Sequence, residues 1–338
     1  MSELQSLLAS ALDARGELIA ALLSSDTDCY RLFHGTVEGM PGVTVDRYGD
    51  ALLVQSFHSS LAPDALTEME SWYRDSHPVF LDFIHNDRSQ GGSRVCNALS
   101  AEAQAAAERE RVIRELGVAY LFRARHRGQD PWLFLDLRAA RRRVQQAAKG
   151  KSFLNLFAYT CGVGVCAAVA GATRVLNVDF ARSSLDVGRA NAELNGVSER
   201  VAFLESDFFP AARQLAGLGL AKTRGSVSLR DVPRVDAETF DIVFLDPPPR
   251  SRSPFGVVDL VADYGAVFKP ALLATRDGGE LICCNNVASV DAAEWVDALT
   301  RGMRRHGRTL RSVEIIAPEA DFPSSDGRPP LKVARLGV

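Results

Sequence analysis

The 338-residue chain is short of several things, and each shortage removes a class of protein. No apolar run approaches the roughly 18 residues that a membrane-crossing helix needs, so no membrane partner is expected. The first residues, Met1 to Gln5, lack a basic region ahead of an apolar core, so no signal peptide is expected either. Six cysteines (Cys29, Cys96, Cys161, Cys166, Cys283, Cys284) lie scattered without a Cys-x-x-Cys spacing, and no metal is expected. Several sit in apolar runs, where a reduced, buried thiol is the natural reading, and a cytoplasmic location fits. Nothing resembles a P-loop, which argues against nucleotide triphosphate hydrolysis. The net charge of −3 argues neither for nor against nucleic acid, because distribution matters more than sum. With 46% apolar and 24% charged residues, the composition is that of a globular protein with room for two domains.

What is present is organised around Phe153-Leu-Asn-Leu-Phe-Ala-Tyr-Thr-Cys-Gly-Val-Gly-Val165, followed by Arg174-Val-Leu-Asn-Val-Asp-Phe180. An apolar strand breaks into a turn with Gly162 and Gly164, then an Ala/Val run of helical character. A second apolar strand ends on one carboxylate, Asp179. A glycine turn lets backbone approach a ligand, and a helix start aims free N–H groups at it. An acid at the tip of the second strand suits the two hydroxyls of a ribose. Taken alone, a Gly-x-Gly also suits a tight turn in any α/β protein. A dehydrogenase fingerprint would want a third glycine where Ala167 stands.

From residue 151 onward strands and helices alternate. Helices are expected over 165–170, 182–195, 211–216, 257–274 and 292–305. Strands are expected over 201–205, 240–245 and 279–284, with 310–317 and 331–336 closing the sheet. Such alternation predicts a parallel sheet covered on both faces, with ligands at the C-terminal strand ends. Gly162, Asp179, Asp207 and Asp246 all fall at such ends. Residues 217–239 show no periodicity, and a run of that length is functional or mobile in most compact domains. The first third reads as a helix over 4–23, a hairpin turning at Tyr48-Gly49-Asp50, a helix over 61–73 and a strand over 79–84, a small α+β domain. Residues 101–111 suit either a helix or a linker. The division expected is 1–120 and 121–338.

Residues 118–151 hold nine positive charges (Arg123, Arg125, Arg127, Arg138, Arg141, Arg142, Arg143, Lys149, Lys151) against Asp130 and Asp136. Phe122, Trp132 and Phe134 lie among them. Basic side chains interleaved with aromatics suit phosphate contact and base stacking, although 138–149 also suits a solvated helix face. At the strand ends, Asp207 with Phe208 would take an amino group and ring face of a base, or Asp207 would cap the next helix. Asp246-Pro-Pro-Pro249 is more specific, because prolines stop a strand and leave its carbonyls exposed. A carboxylate and a carbonyl together accept both hydrogens of an amino group on a planar base.

Asn155-Leu-Phe-Ala-Tyr-Thr-Cys-Gly-Val-Gly-Val165, Asp179, Asp207 and Asp246-Pro-Pro248 together resemble the class I S-adenosylmethionine-dependent methyltransferases. More narrowly, they resemble the bacterial large-subunit ribosomal RNA methyltransferases of the cytosine-C5 and guanine-N7 group. Glu38 to Asp50 is similar to the opening hairpin of that family's middle domain, and Phe134-Leu-Asp-Leu-Arg138 with Arg141 to its Phe-Leu-Asp-Gln-Arg stretch. The resemblance runs from about residue 30 to the end. It implies a Rossmann-like, mostly parallel sheet of seven strands behind the small α+β domain, and a methyltransferase with S-adenosylmethionine as cofactor. Asn155, Phe157, Tyr159, Gly162, Asp179, Phe180, Asp207, Phe208 and Asp246 would hold that cofactor. Asp246, Pro247 and Asn286 would serve the chemistry, and Arg138, Arg141, Arg142, Tyr264 and Asn285 would bind the substrate. Ribosomal RNA is the implied partner, and the oligomeric state stays open, a homodimer included.

The chain also departs from that family. Cys161 replaces its first turn glycine, Leu137 replaces a Gln, and Gly128-Gln-Asp-Pro-Trp132 stands in place of Gly-Gln-Lys-Thr-Gly. Many relatives open with an RNA-binding PUA domain, and none is expected here. Counting from Gly278-Gly279, the nucleophilic cysteine of the C5 enzymes falls on Asn286, with Cys283 and Cys284 two or three residues early. Asn285-Asn286 instead resembles the guanine-N7 enzymes, so methylation of a base nitrogen, guanine first, is the expectation. The alternatives are a small-molecule or protein methyltransferase, a cytosine-C5 enzyme, or an inactive RNA-binding relative.

Overall fold

The computed structural model describes residues 1–76, 82–90, 94–126, 131–220 and 232–338. Two compact units divide these residues, one of Met1–Arg138 with Glu319–Gly327, the other of Ala139–Pro318 with Arg328–Val338.

In the first unit, Ser2 opens α1 (Glu3–Ala14) with a capping box to Gln5. The single helix expected over 4–23 breaks at Arg15, where α2 (Gly16–Ser24) begins. Arg15 turns inward at this break, its guanidinium donating to the Ala11 carbonyl (2.8 Å) and pairing with Glu38. Strands β1 (Cys29–His34), β2 (Val43–Tyr48), β3 (Ala51–Ser56) and β4 (Asp82–Asp87) lie in that order in one sheet. The β2–β3 hairpin turns at Gly49 (φ +63°) as the sequence predicts. Helix α3 (Pro63–Ser76) crosses over so that β4 runs parallel to β3. The strand expected from Val79 begins at Asp82, and residues 77–81 lie outside the described ones. Leu8, Tyr30, Phe33, Val45, Leu52, Met69 and Tyr73 share the core.

After α4 (Ala101–Glu108) comes a second hairpin, β5 (Arg111–Glu115) with β6 (Val118–Phe122), which sequence periodicity did not reveal. A boundary at residue 120 would cut through β6. Phe122 stacks on Tyr48 at 4.0 Å, and Arg138 binds Glu115, Glu319 and Asp321, which carries the unit on to residue 138. The returning segment Glu319–Gly327 adds Asp321, which accepts from the Arg31 N–H (3.0 Å), and Phe322, which lies under the Arg31 guanidinium (4.5 Å).

Apart from Arg138, α5 (Arg138–Ala147) opens the second unit, which then alternates β7 (Ser152–Leu156), α6 (Gly162–Val169), β8 (Arg174–Asp179), α7 (Arg182–Leu194), β9 (Val201–Glu205), α8 (Phe208–Leu215) and β10 (Phe240–Leu245). The helix expected from Val257 is divided. A hairpin, β11 (Arg250–Ser253) with β12 (Gly256–Asp259), precedes α9 (Gly265–Ala274). Strand β13 (Thr275–Asn285), α10 (Ala292–Arg305), β14 (Ser312–Ile316) and β15 (Lys332–Gly337) complete the chain. The seven-stranded sheet runs β14-β15-β13-β10-β7-β8-β9, with β15 antiparallel to both neighbours. Its central strands are mostly apolar because helices cover both faces, as Ile242 to Leu245 illustrates. The strand order reverses between β7 and β10, the switch point where open α/β sheets bind ligands.

Candidate functional site

Register fixes a row of strand ends. Leu245 lies across from Leu156 on one side and Cys283 on the other, and Leu156 lies across from Val178. The residues that follow therefore line up as Asn285-Asn286, Asp246, the 157–162 turn, Asp179 and Ser206-Asp207.

The turn after β7 is strained in a particular way. Phe157, Tyr159 and Cys161 all take left-handed backbone (φ +59°, +48° and +63°), a conformation that disfavours side chains. Its amides are held by the neighbouring strand. Tyr159 N–H donates to one oxygen of Asp179 and Ala181 N–H to the other, both at 2.8 Å, while Ala158 N–H donates to the Val178 carbonyl (3.0 Å). Burial pushes the Asp179 carboxyl up, and those N–H groups pull against it. The same carboxylate that would meet ribose hydroxyls thus pins the turn. Each oxygen keeps acceptor capacity beyond its one N–H.

Cys161 explains why glycine suits its position, and how a side chain is tolerated there. It precedes α6 with its thiol fully buried against α7, and burial raises its pKa. A Cβ at Gly188 would fall 2.8 Å from the Cys161 Cβ and closer still to its sulfur. The missing side chain at 188 is the space that the Cys161 side chain fills. Gly164 has a parallel duty, since a Cβ there would overlap the Asn177 side-chain amide (2.9 Å from Cγ). Asn155 donates to Asn177 across β7 and β8 (2.9 Å) and is buried, so it supports the sheet beneath α6 rather than facing a ligand.

A cavity of about 270 Å³ opens at the ends of β8 and β9, lined by Phe180, Glu205, Ser206, Asp207, Pro210, Val232, Pro233 and Phe255. Phe180 is 74% exposed there, an apolar ring free to cover a base. Asp207 lines the cavity and caps α8 through the Phe209 N–H (2.9 Å), as the capping alternative expects. Phe208 does not line it. Its ring is buried and stacked on Phe157 at 4.5 Å. Glu205, Pro210, Val232, Pro233 and Phe255 were missed because nothing in their spacing marks them; Phe255 lies just ahead of the helix expected from Val257. Of the 217–239 segment, residues 221–231 lie outside the described ones.

On the other side of the switch point, Asp246 is half-buried and Pro247 buried. Cys283 and Cys284 sit fully buried inside β13, and burial pushes the Cys283 thiol up to about 12. A thiol so raised is not a thiolate at neutral pH, and only the thiolate is nucleophilic. Tyr264, expected over the pocket, is buried instead, its hydroxyl donating to the Cys284 carbonyl at 2.9 Å beside Trp295. At the end of the strand Asn285 is buried and accepts from the Val287 N–H (3.0 Å), and just beyond it Asn286 is exposed. Lys332, across from Asn285, donates to the carbonyls of Val287 (2.7 Å) and Pro330 (2.8 Å), fixing the loop that presents Asn286.

The basic stretch does not gather at this site. Arg138 is fully buried among Glu115, Glu319 and Asp321 and donates to the Cys29 carbonyl (3.0 Å). Burial works against its charge, but Asp321 and Glu115 outweigh that and raise its pKa. Arg141 is 1% exposed, and Arg142 is half-buried with partners of its own. Arg125 is buried on Asn86 and Asn97, Arg123 pairs with Glu110, and Arg143 and Lys151 pair with Glu280. Arg127 and the 128–130 part of the altered loop lie outside the described residues. The substrate contacts expected of Arg138 and Arg141 are therefore not available, because their cations are enclosed by the fold. Phe122 and Trp132 are likewise buried.

The residues present fit S-adenosylmethionine: a turn with inward-held amides, an acid at the second strand end, and a cavity with an exposed ring and a second acid. No helix is long and apolar enough to cross a membrane among the described residues. A protein named ribosomal RNA large subunit methyltransferase from Deinococcus radiodurans is 28% identical over 321 residues, covering 90% of this chain and 71% of its own. One named ribosomal RNA large subunit methyltransferase I from Aeromonas hydrophila is 26% identical over 307 residues, covering 89% and 71%. A Streptococcus mutans structure described as a SAM-dependent methyltransferase superposes with a TM-score of 0.77 at 24% identity over 99% of this chain and 81% of its own, a likeness of fold. The family model for S-adenosylmethionine-dependent methyltransferases matches residues 31–336. Nearly the whole chain, the strand-end row included, therefore belongs to the S-adenosylmethionine-dependent methyltransferase family.

Proposed function

We propose that this methyltransferase acts on a nitrogen of an RNA base, with guanine in ribosomal RNA as the favoured target. The relatives' names support an RNA substrate. The observation that carries the choice of atom is the end of β13. Cytosine C5 needs a thiolate to add at C6 before it attacks, whereas both cysteines here are sealed in the strand and Asn286 stands beyond it. A ring nitrogen already holds a lone pair and needs only positioning.

The bound cofactor supplies an electrophilic methyl carbon. Tyr159, Gly162, Asp179, Phe180 and Asp207 are the groups that would hold it. Asp246 and the Pro247 carbonyl would accept the amino hydrogens of the base, and Asn286 would complete its orientation. Holding acceptor and methyl in line is the main work of such a site, because alignment alone removes several kcal/mol of barrier, on the order of 7–11 in the best cases. A base in folded RNA must first be unstacked, at about a few kcal/mol.

Mass-spectrometric mapping of ribosomal RNA from a deletion strain against wild type tests the proposal. Loss of one base-nitrogen methyl group is expected. Loss of 5-methylcytidine would restore the C5 reading, and unchanged ribosomal RNA would favour a small molecule or protein as acceptor.

A further inference from the structure

Directly after Asp246 the chain reads Pro247-Pro-Pro-Arg-Ser-Arg-Ser-Pro-Phe-Gly-Val-Val-Asp259, and it folds as the β11–β12 hairpin. Cross-strand pairs share a face, so register sorts its side chains. Arg250 opposes Asp259 and Arg252 opposes Val257 on one face; Ser251 opposes Val258 and Ser253 opposes Gly256 on the other. Val258 is buried in the core, so the arginine face points away from it. The hairpin is firmly held. Leu260 N–H closes its base on the Pro249 carbonyl (3.1 Å), and Gly256 lies so near the Phe209 ring that a Cβ would come within 2.5 Å of it. Phe255, at its turn, forms a wall of the cofactor cavity with Phe180 and Asp207.

The two guanidiniums on this arm differ from the described ones of 118–151 in being unspent. Arg250 is 74% exposed and no closer than 3.9 Å to Asp259. Arg252 is exposed, with no acidic partner among the described residues. Two residues along a strand are about 6.7 Å apart, on the scale that separates adjacent phosphates of one nucleic-acid strand. We propose that the β11–β12 hairpin is an RNA-backbone arm, on which Arg250 and Arg252 bind phosphates flanking the base held at Asp246. The inference rests on the RNA reading above and deepens it. Phosphate contacts fix register and orientation without reading sequence, so the arm sets how the strand lies across the site, and the strand ends choose the base.

The test is a salt series of RNA binding, using deproteinised large-subunit ribosomal RNA as probe, for wild type and for Arg250→Gln with Arg252→Gln. Calorimetry with SAH runs alongside as a check on the cofactor site. The double variant should weaken RNA binding at least tenfold at low salt and flatten the slope of log affinity against log salt by about 1.5. SAH affinity and melting temperature should stay unchanged, because both side chains are exposed. An unchanged slope, with wild type binding RNA in a salt-dependent way, overturns the arm and leaves the RNA reading intact. An equal loss from Arg301→Gln with Arg305→Gln, on exposed positions of α10, overturns it too, since binding would then be diffuse. Wild-type protein showing no salt-dependent binding overturns the RNA reading itself and the arm with it.

Discussion

Two arginine-bearing stretches of this enzyme meet opposite fates. Residues 123–151 carry nine positive charges, yet the described guanidiniums among them are paired or enclosed, Arg138 among three carboxylates and Arg125 among amides and carbonyls. Residues 250–252 carry two arginines on a four-residue strand, and both face solvent beside the strand-end row. A buried guanidinium stays charged and must be paired, so it recruits acids from distant parts of the chain, as Arg138 recruits Asp321. An exposed one keeps its charge available. Density of charge along a sequence therefore says little about where a polyanion binds; the side of the strand that the charge stands on says more.

The largest effect expected from breaking this contrast is at Arg138. Arg138→Ala leaves Glu115 and Asp321 buried without their cation, and unfolding titrations should show a loss of about 3–5 kcal/mol. A loss below about 1 kcal/mol would mean that the site is less enclosed than its burial indicates.

Next in size is Asp179→Asn. One of the two N–H groups that Asp179 accepts, from Tyr159 and Ala181, would face an amide NH₂ instead. SAH binding should weaken by about 1–3 kcal/mol, roughly 5- to 150-fold. Calorimetry giving wild-type affinity would remove Asp179 from the cofactor site.

A smaller and more discriminating effect is expected at Gly188. Gly188→Ala drives a methyl group into Cys161 and should cost about 1–3 kcal/mol in thermal unfolding. Adding Cys161→Gly removes the obstructing atoms and should recover most of the loss, with SAH affinity following stability. Failure of the second change to rescue the first would place the strain elsewhere, for instance at Phe203, whose ring lies 3.1 Å from the added carbon.

The mostly parallel sheet was legible because its strands read as apolar runs; the strands Val201–Glu205 and Phe240–Leu245 and the helix Ala292–Arg305 have the bounds that periodicity predicts. The strand-end acids were legible for the same reason, since topology puts the residue after each such run at the ligand face. Three things were hidden. The two hairpins after residues 110 and 249 are short, and the first strand of each, Arg111–Glu115 and Arg250–Ser253, is polar at most positions, so little separates it from a loop. The Cys161–Gly188 fit joins two helices 27 positions apart by volume alone. The burial of Arg138 depends on Glu319 and Asp321, which lie more than 180 residues away.

The smallest effect expected is at the cysteines of β13, and it tests the central claim most directly. Cys283→Ser with Cys284→Ser, assayed with S-adenosylmethionine and large-subunit ribosomal RNA from a deletion strain, should keep turnover within a few-fold of wild type. Nucleoside digests should show the new methyl group on a base nitrogen, and RNA containing 5-fluorocytosine should trap no covalent adduct. Abolished turnover in the double variant, together with 5-methylcytidine as the wild-type product, would contradict the account and return the chemistry to a thiolate.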